Sequence, residues 1–152
     1  MSTPRTSVII TCYNLQKYIG RSIRSLINQS LNDDEYEIIV IDDKSTDNSL
    51  NVISNYLSNI KLIKNEKNLG LSASLNSAIK YSTGKYVIRV DGDDYVHSDF
   101  LKILCSHLDI NPNLDAVYCD YQEVAEDEKI IRIVNADEYP IGCGILFNSL
   151  HL

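Results

Sequence analysis

The sequence predicts an α/β fold, a three-layer α/β/α sandwich around a mostly parallel sheet, and three observations carry that prediction. Apolar β-rich runs alternate with segments of helical spacing, an order that calls for right-handed crossovers and a sheet covered on both faces. The runs Ser7–Thr11 and Glu37–Ile41 are nearly continuous in apolar residues, as strands buried on both sides are. Polar and acidic residues gather just past the strand ends, at Thr11–Asn14, Asp42–Asp43 and Asp91–Asp94. Ligands of such sheets bind beyond the carboxyl ends of the strands.

The elements follow in order. After the first strand, Ile19, Ile23, Leu26 and Ile27 keep helical spacing, with Arg21, Arg24 and Ser25 on the other face. The second strand ends at Asp42-Asp43, and Ser45–Ser49 is rich in residues that cap helices. The helix it opens should bury Leu50, Ile53 and Leu57. Ile60–Lys64 reads as a short strand and Asn68-Leu-Gly70 as a turn. Leu71, Leu75, Ala78 and Ile79 form the stripe of a third helix, stopped at Thr83-Gly84. Tyr86–Val90 is the fourth strand. Ser98 should cap a helix through Leu108, with Phe100, Leu101, Leu104 and Leu108 inward. Asn111-Pro112-Asn113 breaks the pattern before a strand at Ala116–Cys119, and Glu126–Lys129 reads as a hairpin turn into Ile130–Val134.

A chain of 152 residues with 44% hydrophobic and 23% charged residues fits one ordinary globular domain, residues 1–152. Its formal net charge of -7 argues against a nucleic-acid partner held through phosphate contacts. A nucleotide remains compatible, since a metal and backbone N–H groups can meet its phosphates. Cys12, Cys105, Cys119 and Cys143 show no C-x-x-C pair or zinc spacing, and buried free thiols fit a reducing cytoplasm. No apolar run approaches the ~20 residues that span a bilayer, and the N-terminus lacks the core of a signal peptide. Peripheral contact with the inner face of a membrane stays compatible.

The most informative stretch is Lys85-Tyr-Val-Ile-Arg-Val-Asp-Gly-Asp-Asp94. Residues two apart in an extended segment point the same way, so Asp91 and Asp93 can converge on one point. Two carboxylates about 6 Å apart repel by roughly 2–3 kcal/mol at an effective dielectric of ~20. A hard divalent cation, Mg²⁺ or Mn²⁺, removes that penalty. Gly92 leaves the backbone free to turn between the acids and lets a ligand approach. An acidic turn that merely ends a strand is the plain alternative.

Four motifs in order resemble those of family 2 glycosyltransferases: Ser7-Val-Ile-Ile-Thr-Cys-Tyr-Asn14, Glu37-Ile-Ile-Val-Ile-Asp-Asp-Lys-Ser-Thr-Asp47, Asn68-Leu-Gly70 with Asn76, and Asp91-Gly-Asp-Asp94. The resemblance runs from about Ser7 to Leu108 and implies the GT-A nucleotide-diphospho-sugar transferase fold. It implies transfer of a sugar, with inversion, from a nucleotide-diphospho-sugar (a UDP-sugar by preference) to an acceptor hydroxyl on a glycan or lipid-linked carrier. Thr11 and Tyr13 match positions lining the nucleobase pocket, and Asn14 a loop-shaping position. Asp42 and Asp43 match the acidic pair that recognises the nucleoside, with Asp43 preferred as the base contact and Asp42 equally readable as a capping residue. Asn68, Gly70 and Asn76 match a segment flanking the nucleotide, although Asn68 also suits plain turn chemistry. Lys67 is within reach of a phosphate or simply solvated.

Asp91 and Asp93 match the D-x-D metal site for Mn²⁺ or Mg²⁺, Asp91 also flanks the donor, and Asp94 would stand behind the ligands. His97, His107 and His151 have no partner spacing. The resemblance further implies a C-terminal region with an acidic general base beyond Leu152; Asp137 and Glu138 come too early for that role. A non-catalytic nucleotide-sugar-binding remnant is therefore the second reading. A phospho-acceptor receiver domain fits poorly, because the first strand ends in Thr-Cys-Tyr-Asn, and no G-x-G-x-x-G marks a dinucleotide site.

Overall fold

All seven residues of the strand Thr6–Cys12 (β1) are buried, and this strand is the centre about which the sheet is ordered. The structure, a computed structural model, describes residues 3–135 and the backbone of 146–148; Asp137, Glu138, Cys143 and His151 lie outside the described residues. After β1 come α1 (Ile19–Ile27), β2 (Tyr36–Asp42), α2 (Ser49–Ser54), β3 (Lys61–Lys64) and α3 (Leu71–Ile79). They are followed by β4 (Tyr86–Asp91), α4 (Phe100–Ile110), β5 (Ala116–Val117), β6 (Tyr121–Val124), β7 (Ile130–Val134) and β8 (Leu146–Asn148).

The main sheet has the order β3-β2-β1-β4-β8-β5. The four strands from β3 to β4 are parallel, while β8 runs antiparallel to β4 and β5. Strand alternation divides the core. Val8, Ile10, Ile38, Val40, Ile88 and Val90 face α1, α2 and α4 through Ile23, Leu26, Ile53, Leu101 and Leu104. Ile9, Ile39, Ile41 and Val87 face α3 through Ala78, with Leu75 and Ile79 packed alongside. The expected three-layer α/β/α sandwich is thus present.

Some boundaries differ from the sequence expectation, each for a local reason. Helix α2 stops at Ser54, and its inward face is Ser49 and Ile53 with Val52 and Tyr56 packed alongside; Leu57 is exposed. Asp99, not Ser98, is the N-cap residue of α4, and the Ser98 carbonyl instead accepts the Ser30 N–H. Gly84 does not terminate α3, whose C-cap is Lys80; a Cβ on Gly84 would lie 2.5 Å from the Ser7 nitrogen, so close packing on β1 demands glycine there. The expected strand 116–119 shortens to Ala116–Val117. The hairpin β6–β7 forms with its turn at the expected residues.

The amino end of the sheet is closed by charge. Asp109 of α4 pairs with Arg5 and accepts hydrogen bonds from Tyr86 Oη at 2.5 Å and Lys85 Nζ at 3.0 Å. Burial pushes its carboxyl up, but the donors Tyr86, Lys85 and Arg5 outweigh that and hold it at about 2. A depressed folded pKa stabilises above the unfolded value of about 3.9 and loses that contribution as pH falls toward 2. The wild-type protein should therefore lose stability more steeply between about pH 4 and pH 2 than Asp109→Asn does, read from urea midpoints across that range. Parallel profiles would contradict the assignment.

Candidate functional site

Register decides which polar residues meet at the carboxyl end of the sheet. Thr11 of β1 pairs with Ile41 of β2 and with Asp91 of β4, while Cys12 pairs with Asp42. Because neighbours along a strand face opposite sides, Thr11, Asp43 and Asp91 fall on the α3 side. Cys12 and Asp42 fall on the other. On the α3 side lies a cavity of about 420 Å³ lined by Thr11, Cys12, Tyr13, Leu15, Asp43, Asn68, Gly70, Leu71, Ser74, Asp91, Gly92 and Asp93. That size suits a small-molecule ligand.

Of the residues singled out in the sequence, the fold therefore gathers Thr11, Tyr13, Asp43, Asn68, Gly70, Asp91 and Asp93 around one space. Asp42 lies outside that lining, 1% exposed, with its Oδ2 accepting the Ser45 N–H at 3.2 Å. Asn76 is exposed on α3, two positions beyond the buried Ser74 and so about 200° around the helix from it. Lys67 is exposed and also outside the lining.

Asp43 is 4% exposed. Its Oδ1 accepts hydrogen bonds from Asn65 Nδ2 at 2.7 Å and the Leu69 N–H at 2.8 Å, and its Oδ2 accepts the Gly70 N–H at 2.8 Å. Burial pushes the carboxyl up, but the donors from Leu69, Asn65, Ser74 and Gly70 outweigh it and leave it below the usual range. The carboxylate thus holds the 68–70 turn against the sheet. Gly70 sits at φ 81° with open space around it, a left-handed backbone that glycine adopts without strain. Asn68 supports the same turn, its Oδ1 accepting the Gly70 N–H at 3.2 Å.

The opposite wall is stitched from two loops. Asn14, at φ 56°, accepts the Thr46 N–H through its Oδ1 at 2.7 Å, and its own N–H donates to Ser45 Oγ at 3.0 Å. The Leu15 N–H donates to Ser49 Oγ at 2.9 Å and the Gln16 N–H to Asp47 Oδ2 at 3.0 Å. Asn14 thereby shapes the loop on which Tyr13, 47% exposed, stands at the rim.

The acidic turn carries features that sequence reading missed. Arg89 donates from Nε to Asp91 Oδ1 at 2.8 Å and from Nη2 to Asp91 Oδ2 at 2.5 Å, a two-pronged ion pair within one strand. The period-two rule that pairs Asp91 with Asp93 also pairs Asp91 with Arg89, so the signal was present. Arg21 of α1 donates to the Asp93 carbonyl at 3.2 Å and lies 4.3 Å over the Tyr95 ring; no local pattern announces a contact between elements so far apart. Gly92 is buried, and a Cβ there would lie 2.8 Å from both the Thr11 carbonyl oxygen and Leu15 Cδ1. Its role is close packing of the turn on β1, where the sequence suggested room for a ligand.

Do these side chains suit a divalent cation? Asp91 and Asp93 present hard oxygen donors to one cavity. Asp94, which keeps solvent contact, is pushed up by partial desolvation and then by the charges of Asp93 and Asp91, with Arg89 and Arg21 opposing. The turn therefore concentrates negative charge, and its donor set fits Mg²⁺ or Mn²⁺. Among the described residues no group of three or more His, Cys, Asp or Glu side chains is arranged to hold a metal, so further ligands would come from a bound molecule and water.

Comparison with known proteins matches residues 7–147 to the family model "Glycosyl transferase family 2". An uncharacterized glycosyltransferase of Haemophilus influenzae is 38% identical over 128 residues, covering 82% of this chain and 39% of the relative. A poly(ribitol-phosphate) beta-glucosyltransferase of Bacillus spizizenii is 40% identical over 101 residues, covering 64% of this chain and 16% of that protein. The crystal structure of S. aureus TarS 1-349 in complex with UDP-GlcNAc superposes with a TM-score of 0.80 at 26% identity, over 95% of this chain and 45% of that one. A Pyrobaculum calidifontis mannosyltransferase in complex with GDP-Man and Mn²⁺ shares the fold, with a TM-score of 0.78 at 23% identity, over 97% and 45% of the two chains. The α/β architecture matches GT-A glycosyltransferase structures, and the chain spans less than half the length of each of these proteins.

Replacing Asp43 tests its structural part. Asp43→Ala removes the acceptor of three hydrogen bonds and should destabilise the protein by on the order of 3 kcal/mol, with faster hydrogen exchange at the Leu69 and Gly70 amides. Unchanged exchange at those two amides would show that the turn is held by something else.

Proposed function

This chain belongs to glycosyl transferase family 2, and we propose that its cavity binds a nucleotide-diphospho-sugar whose sugar is passed, with inversion, to an acceptor hydroxyl. The observation that carries this reading is the convergence of Thr11, Tyr13, Asp43, Asp91 and Asp93 on one cavity. Tyr13 offers its ring to the nucleobase at the exposed rim. Thr11 supplies a hydroxyl beside it, and Asp43 both fixes the 68–70 turn and turns a carboxylate edge to the nucleoside. UDP is the favoured nucleotide, supported by the UDP and UDP-GlcNAc complexes of TarS.

Asp91 and Asp93 would hold Mg²⁺ or Mn²⁺, which when bound supplies Lewis-acid neutralisation of the departing diphosphate. The residues of the chain prepare that site. Gly92 packs the turn on β1, Arg21 fixes the Asp93 carbonyl, and Arg89 orients Asp91. The acceptor is a glycan or lipid-linked hydroxyl, in keeping with relatives named as polymer and lipid glycosyltransferases. We place the reaction in the cytoplasm, a setting compatible with peripheral contact at the membrane's inner face. No described helix is long and apolar enough to cross a membrane.

Calorimetry provides the test. UDP should bind at least roughly tenfold more tightly with Mn²⁺ than without, the scale of one bridging charge contact. Asp93→Ala should lose that metal-dependent gain while keeping the metal-free affinity. Equal affinity with and without Mn²⁺ would overturn the metal-assisted reading, and no binding of UDP at all would overturn the donor assignment.

A further inference from the structure

We propose that Arg89 is the built-in counter-ion of Asp91: it competes with a bare divalent cation for that carboxylate and gives it up when a diphosphate is present. The inference rests on the functional reading above and concerns the order in which the same cavity fills. Arg89 engages both oxygens of Asp91, at 2.8 and 2.5 Å. The geometry is the planar fork by which arginine grips a carboxylate or a phosphate equally well. Both side chains remain partly solvent-accessible, 40% for Arg89 and 33% for Asp91, so the pair is open to exchange.

The physical consequence has two parts. A divalent ion approaching Asp91 must share oxygens already engaged by hydrogen bonds, and it meets a fixed positive charge beside them. Bare metal binding is therefore suppressed, although Asp93 and Asp94 lie in the same turn. A diphosphate changes the balance, because its oxygens attract both the cation and the guanidinium. One arginine thus weakens binding of metal alone and strengthens binding of the nucleotide.

Opposite shifts from one substitution are a signature that loss of fold does not produce. The test is Arg89→Met, titrated with Mn²⁺ alone by electron paramagnetic resonance and with UDP alone by calorimetry. Mn²⁺ should bind roughly tenfold more tightly than in the wild type, the scale of removing one neighbouring charge at a partly solvated site. UDP alone should bind several-fold more weakly, and Arg89→Lys, which keeps the charge, should stay within about threefold of wild type for Mn²⁺.

Unchanged or weaker Mn²⁺ binding in a folded Arg89→Met protein would overturn the proposal. A second variant covers the case in which that protein does not fold. Asp91→Asn should change the affinity for Mn²⁺ alone by less than about threefold, because Arg89 already holds that carboxylate, whereas Asp93→Asn should weaken it clearly. A large loss in Asp91→Asn would sink the proposal too. These metal titrations need no nucleotide, so failure of every variant to bind UDP strikes the functional reading, and a failed metal pattern strikes the counter-ion role alone.

Discussion

The parallel, in-register pairing of β1 with β2 and β4 is the constraint on which the site depends. It places Thr11 beside Asp91 and sets Asp43, rather than Asp42, on the α3 side. A slip of one residue in β2 would exchange the two acids, turning Asp43 into the α1–α2 layer and Asp42 into the cavity. What prevents the slip is burial on both faces. Ile38 and Val40 fill one layer and Ile39 and Ile41 the other, all at 3% exposure or less. The apolar core therefore specifies the position of the polar site at its rim.

The two ends of the sheet treat charge differently. At the amino end, Asp109 is tied to Arg5, Lys85 and Tyr86, and Glu37 accepts from Ser7, Thr83 and Lys61. Those carboxylates are supplied with donors from the protein itself. At the carboxyl end, Asp43 takes its donors from the 68–70 turn and Asp91 takes Arg89. Asp93 and Asp94 crowd the same turn, and partial burial followed by the like charges of Asp93 and Asp91 raises the Asp94 carboxyl. An acidic chain thus ties the carboxylates of one rim to internal donors and concentrates Asp91, Asp93 and Asp94 in one turn at the other.

Much of this was legible in the residues. Buried parallel strands announce themselves as apolar runs, so β1, β2 and β4 and their polar ends could be read directly. The choice between Asp42 and Asp43 could not be closed, because it depends on register between segments some 30 residues apart. Helix α2 departs from its apolar spacing at Leu57 because only six residues stay helical, too few for periodicity to mark its end. Gly92 looked like freedom for a ligand and is in fact a packing requirement, a difference set by Leu15 and Thr11 on another segment. Arg89 obeys the same period-two rule as the two acids and is legible by it, whereas Arg21 reaches the turn from a separate helix and leaves no local trace.

The central claim is that Thr11, Asp43, Asp91 and Asp93 surround a single cation-bound diphosphate. Paramagnetic broadening of amide resonances, on adding substoichiometric Mn²⁺ with UDP to the isotope-labelled protein, reads that geometry directly. The account predicts simultaneous broadening at residues 11–13, 69–70 and 91–94, with the Arg5 and Lys85 end of the sheet spared. Broadening confined to one of those segments, or spread over the opposite end, would contradict it.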